Sequence, residues 1–284
     1  MSKELFDAIR SGHVDIVKNL FSDNHGKMSL RIASECGHTD IILWLLSLRE
    51  PDGRSVIDVN YMYNGRTILM YAASHGHIET VRILIEADVD VNVKRQSYTA
   101  LYYACTSSKD NHEIVSMLLN AGADTKIERS DLHRADGLKV YESVLVSAVN
   151  NNNENIVRVL LNFGLDPNTC KYYTSVLYIY GESVLSTAAF RGNLKIVNML
   201  LEFGANARYE DDDMCPLRYA CMSHSKSSQK IVEILLEAGA DHQNVFKNTR
   251  HLNPKLVRIV RMYAHRFLKT IVVKDMFETV CQFI

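Results

Sequence analysis

The chain lacks the short signatures by which most enzymes and metal proteins announce themselves. Its six cysteines (Cys36, Cys105, Cys170, Cys215, Cys221, Cys281) never fall in a CxxC spacing, and no HExxH occurs. Clustered zinc ligands are therefore not encoded, and His13, His38 and His77 lie far apart along the chain. No GxGxxG or GxxxxGKS/T loop is present to cradle a phosphate, and no GxSxG turn exposes a serine nucleophile. No apolar run approaches the length of a membrane span. A net charge of −1 denies the whole molecule an electrostatic footprint for nucleic acid. Lys3, Glu4, Asp7 and Arg10 break up any apolar start, so no secretory leader is expected. Cys105 and Cys221 sit at small-residue positions of predicted helices, which suits free thiols in a reducing compartment. The expectation is an intracellular protein, cytosolic or nuclear and monomeric, with no catalytic residues, cofactor or metal.

What the chain does have is repetition. With 47% hydrophobic and 23% charged residues it has the composition of a folded protein. Short apolar cassettes ending in a glycine turn recur at Thr67–Asn92, Thr99–Asp124, Val184–Asn206 and Pro216–Asp241. In the first of these, Leu69, Ala72 and Ala73 line one short helix, while Ile78, Val81, Leu84 and Ile85 line a second. Gly76 separates the two, because glycine accepts the left-handed conformation that ends a helix. A single helix–turn–helix unit cannot bury its own apolar face, so copies must stack into a solenoid.

Thr at the head of the first helix, Gly-His at the turn and Gly-Ala-Asp after the second helix together resemble the ankyrin repeat. Aligning on the first-helix leucine gives about seven units, starting at Leu5, Leu30, Leu69, Leu101, Leu145, Leu185 and Leu217. The resemblance implies an all-α ankyrin solenoid over 1–245 with β-hairpin fingers, followed by a helical cap or recruitment segment over 246–284. Asp88 replaces the helix-ending glycine of the third unit, and Asn152-Asn153 replaces Gly-His in the fifth. Extra residues interrupt the repeat near Arg49–Val59, Glu128–Tyr141 and Cys170–Gly181, and the last of these alternates enough for a β-hairpin. Such irregular repeats look like effector-type ankyrin proteins of large DNA viruses or intracellular bacteria, in the setting of a host–pathogen interaction. The resemblance also implies that His13, His38 and His77 bond to the backbone of an adjoining turn. Asn92 and Asn168, at finger bases, bond to backbone or match an asparaginyl-hydroxylation pattern.

In ankyrin stacks the fingers and first helices form the concave side, where partners are held. Of the 14 tyrosines, all but Tyr263 fall in predicted fingers, insertions or first helices. Tyrosine favours interfaces because it offers a large apolar area, a polar tip and little rotamer entropy to lose. The candidate partner-binding residues are Tyr61, Tyr63, Tyr71, His75, Arg95, Tyr98, Tyr103, Tyr172, Tyr173, Phe190, Arg191, Tyr209 and Tyr219. Tyr71, Tyr103 and Tyr219 share one repeat position, which predicts rings facing the groove.

From Lys247 onward eight Lys or Arg accompany Asp275 and Glu278, a local +6 that leaves −7 for the rest. Leu256, Ile259, Val260, Tyr263 and Phe267 form one helical stripe after Pro254. Two readings stand for this tail: a cap over the open end of the stack, or a recruitment helix for ubiquitin-ligase machinery. Leu252–Leu256 is faintly similar to the start of an F-box-like segment but lacks its acidic residue. The leading expectation is a non-catalytic adaptor with a protein partner. The alternatives are a ubiquitin-ligase substrate receptor and an enzyme whose site would be a deep pocket of convergent titratable groups.

Overall fold

The computed structural model describes residues 1–130, 139–174, 179–208, 215–241 and 252–265. Helices follow one another in pairs. α1 (Lys3–Arg10) pairs with α2 (Val14–Leu20), α3 (Gly26–Cys36) with α4 (Thr39–Ser47), and α5 (Ile68–His75) with α6 (Ile78–Glu86). The order continues with α7 (Ala100–Thr106) and α8 (His112–Asn120), then α9 (Val144–Asn150) and α10 (Glu154–Asn162). Next come α11 (Val184–Arg191) and α12 (Leu194–Glu202), then α13 (Pro216–Met222) and α14 (Ser228–Glu237). A further helix runs over 254–265.

Local chemistry sets the ends of these short helices. Thr67 and Thr99 accept from the backbone N–H three residues on, at 3.3 and 3.4 Å, and Ser183 does the same for α11 at 3.0 Å. Pro216 opens α13, where a missing N–H costs nothing. Gly37 closes α3 at φ +78°, and a Cβ there would lie 2.5 Å from His77 Nδ1. The position is therefore closed to side chains twice over, by backbone conformation and by its neighbour. Asp88 takes the same left-handed conformation after α6, at φ 58°.

Some first helices are buried nearly all round: α5 buries every residue from Ile68 to Ala73 and α9 every one from Val144 to Val149, whereas α1 buries only Leu5, Ala8 and Ile9. The second helices are one-sided, and α6 buries only Thr80, Val81, Ile83 and Leu84. The first-helix leucines Leu5, Leu30, Leu69, Leu101, Leu145, Leu185 and Leu217 are each at most 1% exposed.

The chain divides into two compact units, Met1–Asp131 with Tyr141–Gly164, and Leu132–Val140 with Leu165–Ile284. In the first unit α1, α3, α5, α7 and α9 pack in succession, and α2, α4, α6, α8 and α10 form a second row. Polar side chains tie successive pairs together. His38 Nε2 bonds Arg10 O, and His77 Nε2 bonds Glu35 O, each at 2.8 Å. Asn111 Nδ2 donates to Ala73 O at 2.9 Å and Asn153 Nδ2 to Ser107 O at 3.2 Å, so asparagine performs the histidine's task later in the row. Finger bases are tied likewise. Asn92 Nδ2 donates to Gly122 O at 3.0 Å while its Oδ1 accepts from Asp124 N–H at 2.7 Å.

In the second unit α11 packs on α13 and α12 on α14. Asn168 Oδ1 accepts from Asn206 N–H at 2.7 Å, repeating the finger-base bond. Leu252, Leu256, Val257 and Val260 are buried, Asn253 N–H donates to Cys221 O at 2.9 Å, and Tyr263 Oη donates to Leu236 O at 3.1 Å.

The expectation of an all-α chain needs correction: the fold is mostly helical but contains strands β1 (Lys126–Ser130), β2 (Lys139–Ser143), β3 (Cys170–Thr174) and β4 (Ile179–Ser183). β3 and β4 form the antiparallel hairpin expected of that insertion, in register Cys170↔Ser183 through Thr174↔Ile179. In β4 Gly181 and Ser183 are buried while Glu182 between them is part-exposed, as strand geometry requires. β1 and β2 fall where the sequence shows only inserted residues, because Lys-Ile-Glu-Arg-Ser offers a single apolar side chain, Ile127, which is buried.

Candidate interaction surface

Two fingers of the first unit are tight hairpins. Tyr63 bridges Arg66 across Asn64-Gly65, and Arg95 bridges Tyr98 across Gln96-Ser97. All four central residues have positive φ, from 47° to 78°, the geometry of turns that match strand twist. Each finger thus presents one arginine and one tyrosine at paired positions, in opposite chain order.

Those finger residues meet the first helices. The Arg31 guanidinium, on α3, lies 4.9 Å from the Tyr63 ring centroid and 5.7 Å from that of Tyr71. Arg66 lies 5.9 Å from the Tyr71 centroid and 4.5 Å from that of Tyr103. Tyr103 meets Tyr102 edge-on at 5.7 Å and Tyr98 at 6.3 Å, and Tyr98 stacks on Tyr102 at 4.1 Å. Lys27, one turn before Arg31 on α3, lies 4.2 Å from the Tyr61 centroid. Ring and cation alternate without a gap from α3 to α7. Cation–π contacts contribute about 0.5–1 kcal/mol each when exposed and more when desolvated, so the arrangement holds itself in place.

The expected residues are not all equally open. Tyr61 is 37% exposed, Tyr63, Tyr98 and Tyr103 are half-buried, and Tyr71 is only 9% exposed, with its hydroxyl donating to Tyr63 O at 3.4 Å. Tyr71 is therefore largely a brace for its neighbours. His75 is half-buried, its Nδ1 bonded to Tyr71 O at 2.9 Å, and its carbonyl accepts from Lys109. Arg95 is half-buried, and its Nε would lie 2.7 Å from a Cβ at Gly65. Gly65 thus makes room for the neighbouring finger's arginine.

In the second unit Phe190, 46% exposed, meets the half-buried Tyr219 ring edge-on at 5.9 Å. Arg191 and Tyr172 are exposed. Tyr209, the acidic run 210–213 and the side chain of Tyr173 lie outside the described residues. The residues that reading the sequence missed are Lys27, Arg31 and Arg66. Arg66 had one available signal, its place at the end of the finger just before the Thr67 cap.

Reactive chemistry is poorly supplied. Burial pushes the Cys105 thiol far up and the Cys221 thiol up to about 12, so neither is a thiolate at neutral pH. Among the described residues no group of three or more His, Cys, Asp or Glu could hold a metal ion. None of the described helices is long and apolar enough to cross a membrane. A cavity of about 620 Å³ beside α1 and α2 is lined by Glu4, Asp7, His13, Ile16 and Leu20.

The family model described as ankyrin repeats (3 copies) matches residues 30–129 and again 145–245. Protein HOS4 of Saccharomyces cerevisiae is 34% identical over 125 residues, 42% of this chain and 11% of that protein. The ankyrin repeat and KH domain-containing protein mask-1 of Caenorhabditis elegans is 28% identical over 133 residues, 45% of this chain and 5% of that protein. The chain thus spans only a small part of these relatives. The crystal structure of the human ASB11 ankyrin repeat domain has the same fold, with TM-score 0.63 and 20% identity over 84% of this chain and 98% of that one. With paired helices, finger hairpins and two matched stretches that cover most of its length, the chain belongs to the ankyrin-repeat family.

Proposed function

We propose that this chain is a non-catalytic ankyrin adaptor that holds a protein partner on the finger and first-helix face of its first unit. Ankyrin repeats are protein–protein interaction modules, and the observation that carries the reading is the ring-and-cation surface from Lys27 to Tyr103. Aromatic and arginine side chains held rigid before binding lose little entropy on contact. In this reading the helix pairs act as seven repeat units, and the 254–265 helix caps the last of them. Leu252 and Leu256 are 6% and 3% exposed against the final pair, which favours a cap over a recruitment segment that would need those residues free. The buried thiols of Cys105, Cys215 and Cys221 support an intracellular setting.

A photo-crosslinking amino acid placed at position 103, and separately at position 82 on the outer face of α6, tests the reading in the native cell. Crosslinks to a protein at position 103 that are missing at position 82 are expected. Crosslinks at position 82 alone would refute the groove assignment.

A further inference from the structure

A guanidinium laid on an aromatic ring keeps its in-plane N–H groups available at its edge, where a planar carboxylate meets them two at a time. Arg66 is held in this way between Tyr71 and Tyr103. Among the described residues no carboxylate pairs with Arg66, Arg95 or Lys27. Arg31 differs, since Glu35 one turn on is its ion-pair partner. The face therefore carries uncompensated positive charge on a chain whose net charge is −1. That excess comes from placement and owes nothing to bulk composition.

We infer that the partner segment held here is acidic and extended, with carboxylates meeting Arg66 and Arg95 on successive fingers. The inference rests on the groove reading above and adds the chemical class of the partner. Charge complementarity selects it: two guanidiniums on adjacent hairpins, neither paired with a carboxylate among the described residues, ask for carboxylates at a matching interval. Single-stranded nucleic acid, the other anion that aromatic and cationic surfaces take, needs open ring faces for its bases. Here the faces are already occupied. Arg66 covers Tyr103, Tyr98 stacks on Tyr102, and Tyr71 is buried.

The test uses the full chain and three fluorescent probes, oligoglutamate, oligolysine and oligothymidylate, followed by fluorescence anisotropy at low and physiological salt. Oligoglutamate is expected to bind, more weakly as salt rises, while oligolysine and oligothymidylate do not. Arg66→Glu should weaken oligoglutamate at least about tenfold, as expected for reversing a charge at a contact. Arg82→Glu makes the same charge change on α6, outside the groove, and should leave binding within about twofold. Arg95→Glu, on the neighbouring finger, supplies the same readout should circular dichroism show Arg66→Glu unfolded. Unchanged binding by the folded finger variants, an equal loss in Arg82→Glu, or tighter binding of oligothymidylate would overturn the inference. Oligoglutamate failing while crosslinks at position 103 persist removes the acidic class alone; loss of those crosslinks removes the groove as well.

Discussion

Tyr71, Tyr103 and Tyr219 occupy the same place in the repeat, yet the two units surround them differently. In the first unit Arg31 and Arg66 lie over the rings, and Tyr71 is nearly closed off. In the second, the half-buried Tyr219 ring meets Phe190, itself 46% exposed, at 5.9 Å. The helix decides where a ring stands. Residues from fingers and neighbouring helices decide whether it is a brace or a contact. Surfaces built on one repeat can therefore differ in chemistry while sharing a backbone.

The largest test asks whether the units differ anywhere but on this face. Leu84 and Leu200 are both fully buried in second helices, so changing either to alanine should cost about 2–5 kcal/mol by urea unfolding. Similar values in both units would confine the contrast to the groove. Tyr71→Ala should cost about 3 kcal/mol, since a buried ring leaves a cavity. Tyr219→Ala, at a half-buried ring, should cost only about 1 kcal/mol. Equal losses would break the comparison.

Ser97 offers a gain. It holds φ 78° where the preceding finger has Gly65 at φ 72°, so Ser97→Gly should stabilise by about 1 kcal/mol in the same assay.

His77 sets a pH dependence particular to the first unit. Burial lowers its pKa below the ordinary 6.5, outweighing the bond to Glu35 O, and Lys109, His75 and His38 add repulsion. The unfolded chain therefore takes up a proton more readily than the native one. Stability from neutral His77 is present above about pH 6.5 and is lost as pH falls through the depressed native value. Asn111 does the same bridging task one pair later, so His77→Asn should fold and flatten the decline in thermal midpoint between neutral and mildly acidic pH. The smallest effect belongs to Phe190→Ala, which should shift stability by no more than about 0.5 kcal/mol. A larger loss would mean that the second unit's rings are also braces.

The architecture was legible because its determinants are local. Gly37 and Gly76 end first helices in the left-handed conformation, Thr67 and Thr99 start them, and the aligned leucines are buried. The imidazoles of His38 and His77 reach backbone carbonyls of the preceding turn, as their position beside the glycine implies. The surface was only half legible. Tyrosine placement marked the fingers and first helices, but the closure of Tyr71 depends on Arg31 from the preceding repeat and Arg66 from a finger. That relation is tertiary and leaves no periodic trace. β1 was hidden for a different reason, since its one apolar side chain, the buried Ile127, makes no pattern among its charges.

The central claim is that fingers and first helices of the first unit form the binding face. Hydroxyl-radical footprinting of the unsubstituted chain, with and without the partner that the crosslinking identifies, tests it most directly. Bound partner should protect Tyr61, Tyr63, Tyr98 and Tyr103 from oxidation while Phe163 and Phe203, exposed at the ends of second helices, stay reactive. Protection of Phe163 and Phe203 with those tyrosines still oxidised would contradict it.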